Sequence, residues 1–161
     1  MLKSSHIYHL VEKARWKAAT TEGYLPPTYA QDGFVHATRE MNLLLPVANH
    51  FYTVICVLQT LEDTWNFCRA CINGLLPAWT DVPGEFLCLR IDMELLISEV
   101  KFEAAAPVGD KAAHSEKEEG GDSERLVFPH IYGPINREAV VAELTVARSG
   151  EGKFLSIESL C

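Results

Sequence analysis

The stretch from Leu126 to Pro134, reading Leu-Val-Phe-Pro-His-Ile-Tyr-Gly-Pro, constrains this chain more than any other. Its two prolines each fix φ and give up a backbone donor, so the segment is stiff and presents side chains at defined angles. His130 and Tyr132 lie two residues apart, which places them on one face of an extended chain. An imidazole that titrates near neutrality beside a phenol suits ligand binding or proton transfer. The same pattern also describes two half-buried strand residues whose polar tips find backbone partners.

The N-terminal part supplies two more histidines in strand-like surroundings. His6 to Val11 alternates, with His6, Tyr8 and Leu10 on one face and Ile7, His9 and Val11 on the other, so His9 stands among aliphatic residues. A helix is expected from Glu12 to Glu22, closed by Gly23, with Trp16 packed in the core. Thr28 to Gly33 reads as one helical turn ended by glycine. Phe34-Val35-His36-Ala37 follows as a strand in which Phe34, His36 and Thr38 share a face, the pattern of a strand that turns a histidine and then a hydroxyl toward a ligand. Glu40 to Tyr52 is expected to be helical, with Leu43, Val47 and Phe51 at four-residue spacing and Thr38 as a cap. Pro46 would start its regular part.

Further along, Glu85 to Ile91 alternates as a strand, Asp92 can cap the turn from Met93 to Leu96, and Val100 to Glu103 forms a short strand. Residues 104–124 combine small residues, three glycines and the charge run Glu116-Lys117-Glu118-Glu119, which leaves nothing to bury. This segment reads as a mobile acidic loop in which His114 is not a ligand. Asn136 to Glu138 turns the chain, Ala139 to Val146 is rich in β-branched residues, and Lys153 to Ile157 can add a last strand. Short strands with two early helices define an α+β fold.

At 161 residues the chain suits a single domain, and its 48% hydrophobic content supports a core. The net charge of −8 argues against broad binding of nucleic acid, which rests on Lys and Arg meeting phosphate. No signal peptide and no stretch long enough to span a membrane are expected. The five cysteines form no regular framework, which points to reduced thiols in a cytoplasmic setting. Cys68 and Cys71 have metal or redox spacing, but no second cysteine pair or close histidine pair accompanies them, so no metal is expected.

Taken together, Ile7-Tyr8-His9-Leu10, Trp16, Gly33-Phe34-Val35-His36-Ala37-Thr38, Val47-Ala48-Asn49-His50-Phe51-Tyr52, Leu87-Cys88-Leu89-Arg90-Ile91-Asp92 and Phe128-Pro129-His130-Ile131-Tyr132-Gly133-Pro134-Ile135 resemble domain-of-unknown-function family 952. The resemblance runs from about residue 6 to residue 146. It implies a fold similar to the ADP-ribosyltransferases: a split β-sheet with flanking helices around a cleft. It also implies NAD as a substrate, or another small nucleotide such as ADP-ribose. By that resemblance His9 and Thr38 would bind the dinucleotide, while His36, His130 and Tyr132 would carry the chemistry. The Val-His-Ala-Thr element is similar to one in the RNA 2′-phosphotransferases, which admits an RNA acceptor. The sequence offers no matching position for the carboxylate such a reaction commonly uses, and no Gly-rich phosphate loop.

Residues 54–80 depart from the family pattern. They hold three of the five cysteines and two of the three tryptophans, and Thr53 would join Asp81 smoothly without them. They read as an insertion within the lineage or the product of a retained intron. Three functions therefore stand side by side: an ADP-ribosyltransferase-like or NAD-processing transferase, a nucleotide or ADP-ribose binding module without turnover, and an interaction protein that works through residues 54–80.

Overall fold

The computed structural model describes residues 5–58, 84–104, 127–150 and 152–158. Alternation of large apolar side chains builds strands here, and the strands form two antiparallel sheets. In the first, β1 (His6–Glu12) pairs with β3 (Phe86–Asp92), β3 with β6 (Val140–Arg148), and β6 with β7 (Phe154–Ile157). In the second, β5 (Val127–Tyr132) lies between β2 (Val35–His36) and β4 (Glu99–Ala104). The sheets meet where Tyr8 and Thr38 exchange backbone hydrogen bonds, at 2.9 and 2.8 Å. The α+β class is as expected.

Apolar side chains fill the space between the sheets. Ile7, Val11, Leu89 and Ile91 of the first face Val35, Ala37 and Ile131 of the second, with Trp16, Tyr24 and Ile135 packed against them. Fully burying one such aliphatic side chain contributes about 1.5–3 kcal/mol. On the other side of the first sheet, Leu10, Phe86, Cys88, Leu144 and Phe154 pack against Leu44 and Ala48 of α3 (Met41–Leu58). The two faces read from His6 to Val11 thus meet two separate apolar layers.

Pro129 occupies the central strand of the second sheet, where a missing donor is normally excluded. The short length of β2 explains the tolerance. The Pro129 carbonyl accepts from Ala37 N at 3.0 Å, so its nitrogen also faces the β2 side, one residue beyond where the β2 ladder ends. Pairing with β4 loses nothing.

Several sequence expectations are corrected. α1 covers only Lys13–Ala18 and stops before Gly23, because Ala19 is extended and Arg137 donates to the carbonyls of Trp16 and Ala19. Helix α3 starts at Met41, five residues ahead of Pro46, which lies inside it. Among its residues 41–49, Leu44 and Ala48 are buried, with Leu43 and Val47 only partly covered. Thr38 does not cap it; its hydroxyl donates to the Glu40 carbonyl at 3.1 Å. Asp92 does organise the following turn, accepting from Glu94 N at 3.0 Å. Cys68, Cys71, residues 105–124 and most of 54–80 lie outside the described residues; α3 continues through the first five positions of that last stretch.

Candidate functional site

The outward face of the second sheet carries the titratable side chains. Val35, Ala37 and Ile131 point into the core, so Phe34, His36, His130 and Tyr132 point away from it. Register places His36 directly opposite His130, and His130 opposite Lys101 on β4. A single pleat row therefore presents two imidazoles and an ammonium across three strands.

Ring contacts tie the row together. Phe34 stacks on His130 with centroids 4.0 Å apart, and lies 4.6 Å from His36 and 5.6 Å from Tyr132. The His36 and His130 rings meet edge to face at 5.5 Å. The Lys101 ammonium stands over the Tyr132 ring, 4.6 Å from its centroid, and within 3.5 Å of a Glu99 oxygen.

Carboxylates orient both histidines. One oxygen of Glu103 accepts from His130 Nδ1 at 2.9 Å and from the Tyr132 hydroxyl at 2.8 Å. An ionised carboxylate only accepts, so Nδ1 carries the proton and Nε2 of a neutral His130 bears a lone pair. That Nε2 is buried and has no hydrogen-bond partner. His36 Nε2 faces Asp32 at 3.3 Å from within the preceding turn, α2 (Tyr29–Asp32). Burial holds the His36 pKa below its ordinary value, against the pull of Asp32. Hydrogen bonds from Tyr132 and His130 hold Glu103 below the usual carboxylate range, and the same carboxylate raises the Tyr132 phenol.

His9 and Thr38 lie apart from this ring cluster. His9 points into the core side of β1, beside Tyr24, and donates from Nδ1 to the His36 carbonyl at 2.7 Å. It is buried with an unpartnered Nε2, and desolvation lowers its pKa to about 4. Thr38 is buried at the seam between the sheets, its hydroxyl engaged with Glu40. The structure thus brings His36, His130 and Tyr132 together, and links His9 to them through the backbone of β2.

Glu103 and Asp32 are the residues that sequence reasoning missed. Glu103 is the carboxylate that His130 and Tyr132 meet, whereas Glu143 accepts from Trp16 Nε1 at 2.6 Å and Glu138 from Asn136. The alternation of Glu99, Lys101 and Glu103 signals that they share a face, but not which strand they would meet. Among the described residues, no group of three His, Cys, Asp or Glu side chains could hold a metal ion. No helix among them is long and apolar enough to cross a membrane.

These features define a mixed α and β protein whose second sheet displays a carboxylate-anchored histidine pair. Residues 74–143 match the model of a family described as "Protein of unknown function (DUF952)", which supports the family resemblance. The match takes in Glu103, His130 and Tyr132 and begins inside the 54–80 stretch. No curated protein matches the chain. Two solved structures are similar: protein CC0527 from Caulobacter crescentus, at 19% identity and a TM-score of 0.47, and a double mutant of it at 18% and 0.47. Each alignment covers 93% of both chains.

Proposed function

We propose that this chain is an NAD-processing transferase, similar in kind to the ADP-ribosyltransferases, that works on the outward face of β2, β5 and β4. The observation that carries the reading is the single Glu103 oxygen shared by His130 Nδ1 and the Tyr132 hydroxyl. Cleavage of the ribosyl–nicotinamide bond builds positive charge on the ribose, and a fixed anion beside it stabilises that charge. Glu103 is held ionised by its two donors and serves as this anion. His130, oriented through Nδ1, offers Nε2 as the base for an acceptor hydroxyl. The bond from C1′ to the nicotinamide nitrogen breaks, and its electron pair leaves with nicotinamide. The acceptor oxygen bonds to C1′, and its proton passes to His130 Nε2.

Burial of His130 beneath Phe34 favours a second reading, in which the face binds a nucleotide or ADP-ribose without turnover. Calorimetric titration of NAD and ADP-ribose into the native protein and into His36→Ala and Glu103→Gln variants tests both. Saturable binding that both variants weaken, followed by release of nicotinamide from NAD, is expected of the transferase. Binding with no nicotinamide released supports the module. No heat with either ligand from a folded protein overturns both readings.

A further inference from the structure

Charge and ring geometry on this face point beyond a nucleotide. Glu99 and Glu103 stand against Lys101 alone among the β4 side chains of the outward row, and Asp32 adds a further carboxylate beside His36. Phe34 and Tyr132 are half-buried, so parts of both rings stay open to solvent. One cation already occupies this environment: the Lys101 ammonium lies over the Tyr132 ring next to Glu99. Aromatic faces attract cations through the ring quadrupole, and adjacent carboxylates deepen the attraction. A second observation is independent of charge. His130 Nε2 is a buried acceptor without a donor, in the ring that Phe34 covers, and a buried polar atom left unpaired is unfavourable until a donor reaches it.

We infer that the outward face of β2, β5 and β4 binds a planar organic cation bearing N–H donors, an amidinium, a guanidinium or a cationic nitrogen heterocycle, and that Lys101 is the resident cation such a ligand displaces. Phe34 swings off the His130 ring that it now covers to admit the ligand, whose flat face then lies against Phe34 and Tyr132. Its charge takes the position of the ammonium near Glu99 and Glu103, and an N–H donor satisfies His130 Nε2. Lys101 is tethered to an exposed edge strand and can swing to solvent, which keeps the exchange local. The inference shares its site with the transferase reading but does not depend on NAD as the ligand.

The test uses benzamidinium, its neutral counterpart benzamide, and 1-methylpyridinium, a planar cation without a donor, each titrated into the full chain by calorimetry and chemical-shift mapping. Benzamidinium should bind roughly tenfold or more tightly than benzamide, with 1-methylpyridinium weaker than benzamidinium. Removing the competing ammonium with Lys101→Met should strengthen benzamidinium binding several-fold, while Phe34→Leu weakens it. Equal affinity for benzamide and benzamidinium, shifts that miss the outward face, or indifference to Lys101→Met overturns the proposal. NAD turnover without this preference leaves the transferase reading and removes the cation site. Cation binding with no response to NAD or ADP-ribose does the reverse.

Discussion

His9 and His130 are both buried, and each donates from Nδ1 to an acceptor that cannot donate back. Their consequences differ. His9 meets a backbone carbonyl and stays neutral, its pKa lowered by desolvation to about 4. The unfolded chain, with an ordinary His9, binds a proton more readily, so folding is fully favoured above about pH 6.5 and loses stability as pH falls toward 4. The loss attributable to His9 is about 3 kcal/mol. Denaturant unfolding from pH 7 to pH 4 should show this decline, and His9→Gln should flatten it; an unchanged slope would remove His9 as its source. Glu103 acts on a different proton. Its carboxylate raises the Tyr132 phenol, so Glu103→Gln should let that phenol titrate at lower pH. Ultraviolet titration against a Tyr132→Phe background isolates the signal from the other tyrosines. Cys88, by contrast, has its thiol pushed up to about 12 by burial and is inert near neutrality.

At the scale of elements, side chains from distant positions close what local sequence leaves open. The Asn49 side chain faces the Phe154 backbone as a strand would, accepting from its N–H and donating to its carbonyl, both at 2.9 Å. Asn49→Ala should destabilise the fold by about 1–3 kcal/mol and speed amide exchange on β7, which hydrogen-exchange measurements would read. Gly133 has φ +146°, and a Cβ there would meet Ser98 Oγ at 2.5 Å, so Gly133→Ala should lower the melting temperature and loosen the turn after β5. The strands themselves were legible because alternation from His6 to Val11 and from Glu85 to Ile91 states directly which side chains share a face. Pairing was not. His36, His130 and Tyr132 could be read as candidates from their own motifs, but Glu103 joins them only through the register of β4 on β5. A slip of one residue would turn it to the opposite face. The end of α1 was equally hidden, because the guanidinium that caps it belongs to Arg137.

On the scale of the molecule, the layers run in a fixed order: α3, the first sheet, the shared core, the second sheet, and the outward histidine face. Leu44 packs in the first apolar layer and the ring cluster lies beyond the last, with two sheets between them. Cores are close-packed, so a cavity under α3 costs global stability, while a distant rigid sheet keeps its geometry as long as the chain is folded. Leu44→Ala should therefore destabilise the protein by about 2–5 kcal/mol. Well below its melting temperature, affinity for benzamidinium on the outward face should stay within about twofold of the parent, since sites this far apart with no shared partners act additively. Thermal unfolding with calorimetric titration on the same sample reads both quantities. A matching loss of affinity would mean that α3 sets the position of β2 through Thr38 and Glu40, and that the face depends on the helix as well as on its own sheet.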